Sequence, residues 1–184
     1  LNLSSLVEQP FELLLELERR ARAAIAAREG SSSTSEEWVG IGFRLGTERF
    51  VANRGEVREV LPVPEQVTRV PGAKPWLRGI ANLRGQLLTV VDLRSFLGAG
   101  GTPSDRQARV LVVASREVPT GLIVDEVTGF RRFASTDYQQ DSPPSVIRCE
   151  HYLQGGYRRD GEIYPRFSFM RLIEDPQFLA AGES

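Results

Sequence analysis

From Trp38 the apolar positions run with a period of two. Val39, Ile41, Phe43 and Leu45 alternate with Gly40, Gly42, Arg44 and Gly46, the pattern of a strand with one buried face. Gly46 and Thr47 predict a hairpin turn into Arg49–Ala52, Asn53-Arg54-Gly55 a second turn, and Val57 and Val60 carry the β pattern on toward Pro62. Leu87–Val91 is a near-continuous apolar run, predicted to be buried on both faces. Further apolar runs, Val110–Ala114 and Thr120–Val124, are followed by Phe130–Phe133, and Val146 with Ile147 predicts the start of another strand. Leu153–Gly156 reads as a turn, and Asp160-Gly161 as a hairpin leading into Glu162–Phe167. A short helix is predicted around Phe169–Ile173, ending before Pro176.

Helical spacing is long only at the start. Phe11, Leu14, Leu17, Ala21, Ala24 and Ile25 recur on one face between Pro10 and Gly30, with acidic residues early and arginines late, as the helix dipole favours. The Ser-rich stretch that follows, with no apolar anchor, reads as a linker. Pro62, Pro64, Pro71 and Pro75 exclude a central strand between them and mark an ordered connector. Residues 75–81 are expected to be a short turn or 3₁₀ piece pinned on the core by Trp76, Leu77 and Ile80. About ten short β segments with little helix between them predict an all-β architecture of closed or paired barrels. Ala108–Val124 offers no helical crossover between its two apolar runs, which disfavours a doubly wound α/β fold.

Composition narrows the function classes. The 41% hydrophobic content is that of an ordinary globular chain, and Lys+Arg 23 against Asp+Glu 24 gives a formal charge of -1. No global attraction for nucleic acid or anionic lipid follows from that balance. Lys74 is the only lysine, so the basic groups are arginines, suited to bidentate and stacked contacts at interfaces. No run approaches the ~20 apolar residues of a membrane span, and no basic region with an apolar run and cleavage site opens the chain. The expected compartment is the cytoplasm, without direct membrane insertion, and one cysteine, Cys149, cannot form an intrachain disulfide.

The candidate chemistry is thin. Cys149 and His151 cannot close a zinc site by themselves, and as a nucleophile pair they lack any supporting motif, so a small Cys-His hydrolase is the minor alternative. The glycines 98, 100 and 101 are not followed by Lys-Ser or Lys-Thr, so a phosphate loop is not expected. Asp92 and Asp125 both end apolar strands, where turn capping outweighs acid/base work. What remains is Arg84 on a tight turn, Asn82-Leu83-Arg84-Gly85, held by a core strand where a partner can reach it. Arg78, Arg94, Arg131 and Arg132 are further interface candidates.

These residues carry a resemblance. The run Gly79–Leu93, with Asn82-Leu83-Arg84-Gly85 and Val90-Val91-Asp92-Leu93, resembles the first signature of CheW-like domains, and Gly121–Val127 resembles the second. Gly40–Leu45, Glu56–Val60, Val70-Pro71 ahead of Trp76, and Leu153–Gly155 fall in the family's order, so the likeness covers residues 38–175. It implies two small five-stranded barrels packed side by side, with a helical extension over 1–30, a linker over 31–37, and a CheW-like domain over 38–184 that ends in a short helix. It also implies an adaptor without catalysis, cofactor or metal, joining the cytoplasmic tip of a methyl-accepting receptor to the regulatory domain of a CheA-type histidine kinase, with other CheW-like proteins as further partners. The helical extension and the Trp38–Phe43 entry are most similar to the branch serving type IV pilus twitching motility, with flagellar chemotaxis or another chemosensory array as the alternative. Carried onto this chain, the implied protein-binding residues are Arg78, Asn82, Leu83, Arg84 and Gly85, with Val39, Ile41 and Phe43 of the first barrel and Leu122, Val124, Asp125 and Val127 of the second. Two positions depart from the family pattern: Thr89 stands where a proline is usual, and Pro165–Phe169 replaces an apolar stretch ending in aspartate.

Overall fold

The period-two pattern that starts at Trp38 sorts β1 (Glu37–Leu45) into two faces, one carrying Ile41, Phe43 and Leu45 and the other Trp38, Gly40 and Gly42. In the computed structural model, which describes residues 37–103, 105–115 and 119–182, each face meets a different core. β1 turns at Gly46 into β2 (Glu48–Asn53), and Asn53 caps a 3₁₀ turn, Arg54–Glu56, that opens β3 (Val57–Pro62). β4 (Leu77–Leu83) and β5 (Gln86–Asp92) make a hairpin, followed by a one-turn helix α1 (Leu93–Phe96), β6 (Arg109–Val113), β7 (Thr120–Val124) and β8 (Glu126–Ala134). The chain continues through β9 (Tyr138–Gln139), β10 (Leu153–Arg159) and β11 (Glu162–Phe167) to two short helices, α2 (Phe169–Ile173) and α3 (Pro176–Leu179).

The strands form two sheets. One is six-stranded, in the order β8-β1-β2-β11-β10-β9, and the other five-stranded, in the order β3-β6-β7-β5-β4. All pairs are antiparallel except β2 with β11 and β5 with β7. The two closed five-stranded barrels expected from strand count are therefore corrected to two open sheets. Closure fails for identifiable reasons. The outer edge of β4 is taken by Thr68, which exchanges both backbone hydrogen bonds with Ile80 at 2.8 and 2.9 Å, so β3 has no ladder to join there. In the larger sheet β9 is two residues long, and the link between the β10 and β8 sides is a side chain, Arg159 Nη1 donating to the Arg132 carbonyl at 2.8 Å.

Three apolar cores follow from the faces. Between the sheets, Phe43, Phe50, Phe167 and Phe169 interlock with ring centroids 5.4–6.1 Å apart and pack on Leu111, Leu122 and Val124 of the smaller sheet. Each of these side chains is fully buried, a contribution of about 1.5–3 kcal/mol apiece. Inside the smaller sheet's curl the buried side chains among the described residues are aliphatic: Ala81, Leu88, Val90, Val110, Val112 and Ile123. Inside the larger sheet's curl lie Val51 and four aromatics, Trp38, Phe133, Tyr157 and Tyr164. Gly40 is required there, since a Cβ on it would stand 2.3 Å from the Trp38 ring.

Several local expectations change. The turn expected over 75–81 is confined to Pro75 and Trp76, closed by the Leu77 amide donating to the Lys74 carbonyl at 2.9 Å, and from Leu77 the chain forms β4. Leu87 is not buried but 66% exposed: its face of β5 is covered by the core between the sheets only from Val91 onward and is open toward the hairpin tip. Val146 and Ile147 start no strand, since their amides donate to the Glu48 carboxylate at 2.8 and 3.1 Å and cannot enter a ladder. Leu153–Gly156 is strand with a bulge, not a turn. The helix predicted over residues 10–28 and the linker over 31–37, apart from Glu37 at the head of β1, lie outside the described residues. Thr89 uses the donor that a proline would lack, its amide hydrogen-bonding the Pro119 carbonyl at 2.9 Å.

Candidate functional site

The β4–β5 hairpin ends in the pair Leu83 and Gln86, joined by Arg84 and Gly85 alone. A two-residue hairpin of the I′ type needs positive φ at both turn positions, and φ is 50° at Arg84 and 83° at Gly85. Glycine adopts this freely, whereas arginine does so at a cost. The Asn82 side chain fixes the turn by accepting from the Gly85 amide at 3.0 Å. The result is a guanidinium raised on the tip of a rigid hairpin, its side chain 77% exposed, with Glu59 of β3 as its ion-pair partner at 3.4 Å.

The outward face of the same hairpin extends this tip into a patch. Residues directly opposite across an antiparallel pair share a face. Asn82 faces Leu87 and Ile80 faces Thr89, with Arg78 following along β4. Ile80 and Leu87 are exposed apolar side chains, so the patch is an apolar centre rimmed by Arg78, Asn82 and Arg84. Its two apolar members were absent from the sequence-derived candidates. The signal for Leu87 lay in the alternation with buried Leu88, hidden by the apolar character of the whole run.

The remaining candidates separate into two groups. Arg78, Asn82, Arg84 and Gly85 are exposed on the hairpin, with Leu83 half-buried against the aliphatic core. Ile41, Phe43, Leu122 and Val124 are buried between the sheets, so these side chains hold strands in place and present nothing to a partner. Val39 and Val127 are half-buried on β1 and β8. Asp125 is 4% exposed and ties three elements: it accepts from the Gly46 amide, lies 3.2 Å from Arg94 of α1, and stands 3.6 Å from Arg44 of β1. Asp92 is likewise structural, capping α1 through the Ser95 amide and accepting from the Thr102 amide and hydroxyl, with Arg78 at 3.7 Å.

Nucleophilic chemistry finds no footing at Cys149. Its thiol is fully buried, burial pushes it up to about 11, and its Sγ lies 3.4 Å from Ser145 Oγ, while His151 is exposed with its ring against Tyr152. A nucleophilic cysteine requires the opposite shift. Among the described residues, no group of three or more His, Cys, Asp or Glu side chains could hold a metal ion, and no helix is long and apolar enough to cross a membrane.

Comparison with known proteins gives the following. Residues 39–177 match the family described as CheW-like domain. The chain is 41% identical over 154 residues to the protein PilI of Pseudomonas aeruginosa, covering 84% of this chain and 86% of that one. It is 27% identical over 145 residues to the chemotaxis protein CheW of Helicobacter pylori, covering 79% and 85%. The crystal structure of the scaffolding protein TtCheW from Thermoanaerobacter tengcongensis superposes with a TM-score of 0.65 at 24% identity, over 76% of this chain and 94% of that one.

Proposed function

The chain belongs to the CheW-like domain family, and from that premise we propose that it is an adaptor without catalytic activity, coupling the cytoplasmic tip of methyl-accepting chemoreceptors to the regulatory domain of a CheA-type histidine kinase. The pathway proposed is type IV pilus twitching motility, working in the cytoplasm at membrane-bound receptor arrays. The likeness to PilI along most of both chains supports that choice over a flagellar array.

The observation that carries the adaptor reading is the hairpin patch. An arginine held at positive φ, mostly exposed and rimming exposed Ile80 and Leu87, adds little to the core and has the composition of an interface anchor. Arg78, Asn82, Arg84 and Gly85 with Ile80 and Leu87 are the proposed contact residues, and the β1, β7 and β8 candidates act by holding strand positions. Titrating the chain with a CheA-type regulatory domain and, separately, with a receptor-tip fragment tests the reading. Saturable binding to at least one of them is expected, and binding to neither would end it. Loss of twitching on gene deletion, with swimming unchanged, is the result expected for the pilus pathway.

A further inference from the structure

The larger sheet curls around an interior unlike that of its neighbour. Where the smaller sheet encloses aliphatics, this one encloses stacked aromatics with two arginines laid on them. Trp38 stacks on Tyr157 at 4.5 Å, Tyr157 on Phe133 at 4.9 Å, and Phe133 meets Tyr164 at 5.7 Å. The Arg166 guanidinium lies 5.3 Å from the Trp38 ring and that of Arg131 lies 6.0 Å from the Tyr164 ring. At these distances a ring attracts the cation and takes up none of its N–H donors.

Those donors are not used elsewhere. Among the described residues neither Arg131 nor Arg166 donates a hydrogen bond or pairs with a carboxylate at ion-pair distance, although both are half-buried. Glu56 feels the charge of Arg166, but its Oε2 is engaged by the Phe169 and Met170 amides at 2.6 and 3.3 Å. Glu162, near Tyr164, accepts from the Tyr164 hydroxyl at 3.2 Å and stands 3.6 Å from Arg49. In the same cluster the Trp38 Nε1–H is buried with no acceptor. An unsatisfied buried donor is costly, and the indole N–H is one; the two guanidiniums beside it are half-exposed and keep their N–H groups open to a ligand.

We infer that this aromatic and arginine cluster is a docking site for a carboxylate-bearing segment of a partner protein. Guanidiniums already held near rings offer bidentate N–H pairs to carboxylates, and the half-exposed position of both arginines lets such a segment approach from outside. The site lies on the sheet that does not carry the Arg84 hairpin and does not depend on the adaptor reading. The chain's formal charge of -1 gives no general attraction for polyanions, so binding must be local.

The test uses the full chain and a fluorescein-labelled hexaglutamate peptide at low salt, with hexalysine and inorganic phosphate as comparators. Saturable binding of hexaglutamate alone is expected, weakening with salt and falling about tenfold or more in the Arg131→Gln, Arg166→Gln double variant. The indole N–H resonance of Trp38 should shift on binding while that of Trp76 stays, which reports the site without any substitution. Absence of saturable binding by the wild-type chain, a shift at Trp76 with Trp38 unmoved, or unchanged affinity in a folded double variant would overturn the site. Displacement by an equal concentration of inorganic phosphate would overturn its assignment to a peptide segment.

Discussion

Arg84 at the β4–β5 tip and Glu59 on β3 stand 3.4 Å apart across the open seam of the five-stranded sheet. They join its two edge strands where no backbone ladder does. With side chains 77% and 25% exposed, such a pair contributes at most about 1 kcal/mol. The seam is therefore held by the aliphatic core beneath it, and Arg84 can exchange Glu59 for a partner's carboxylate at little loss of stability.

The hairpin tip itself depends on Gly85. A Cβ there would meet nothing within 4 Å, so Gly85→Ala probes only the strain of φ 83°. A loss of roughly 1 kcal/mol in urea unfolding is expected, accompanied by weaker partner binding because the turn presents Arg84. Unchanged stability would show that the turn is not held in this conformation.

Asp125 gives a larger effect for a different reason. Asp125→Ala would strand Arg94, whose guanidinium is mostly covered, and free the Gly46 amide. Destabilisation of about 3 kcal/mol is expected in chemical denaturation. A change below ~1 kcal/mol would mean that water replaces the carboxylate at no cost.

Glu56 makes stability depend on pH. Burial raises its carboxyl above the ordinary value of 4.5, against the opposing pull of the Phe169 and Met170 amides. A folded-state pKa above the unfolded one favours the native state fully below the unfolded value, and that contribution is lost as pH rises through the folded pKa. Glu56→Gln removes the titration, so the stability of the variant relative to wild type should rise as pH increases from about 4 toward neutrality. A relative stability that fell over this interval would contradict the assignment.

Asp175 acts with the opposite sign. The Tyr152 hydroxyl, donating at 2.7 Å, is the main cause holding its carboxyl below the ordinary range. Its contribution is present above the unfolded pKa and is lost as pH falls through the folded one. Tyr152→Phe should leave a chain whose stability declines less steeply on acidification than that of wild type, read from melting temperatures between pH 5 and about 3. An equal or steeper decline would show that the hydroxyl does not act on Asp175.

Much of the β pattern was legible because large apolar residues alternate along β1 and fill β7. β4 is hard to read because its fully buried positions are Gly79 and Ala81, too small to mark a buried face, while the larger Ile80 points out. Gly155 and Gly156 read as a turn, yet they are where β10 passes close to Gln139 and Tyr164. Sheet closure left no trace in the sequence, since it turns on Thr68 capping β4 and on the length of β9. At the candidate site the turn was legible through Asn82 and Gly85, whose chemistry is local. The exposure of Leu87 was not, because only the packing of β5 decides which of two adjacent leucines faces inward.

The most direct measurement is the affinity of Arg84→Ala for the CheA-type regulatory domain and the receptor tip, set beside its melting curve. The variant should melt within ~0.5 kcal/mol of wild type, as expected of an exposed position, while binding at least one partner about tenfold or more weakly, the loss of an interface anchor. Wild-type affinity for both partners in the folded variant would contradict the account.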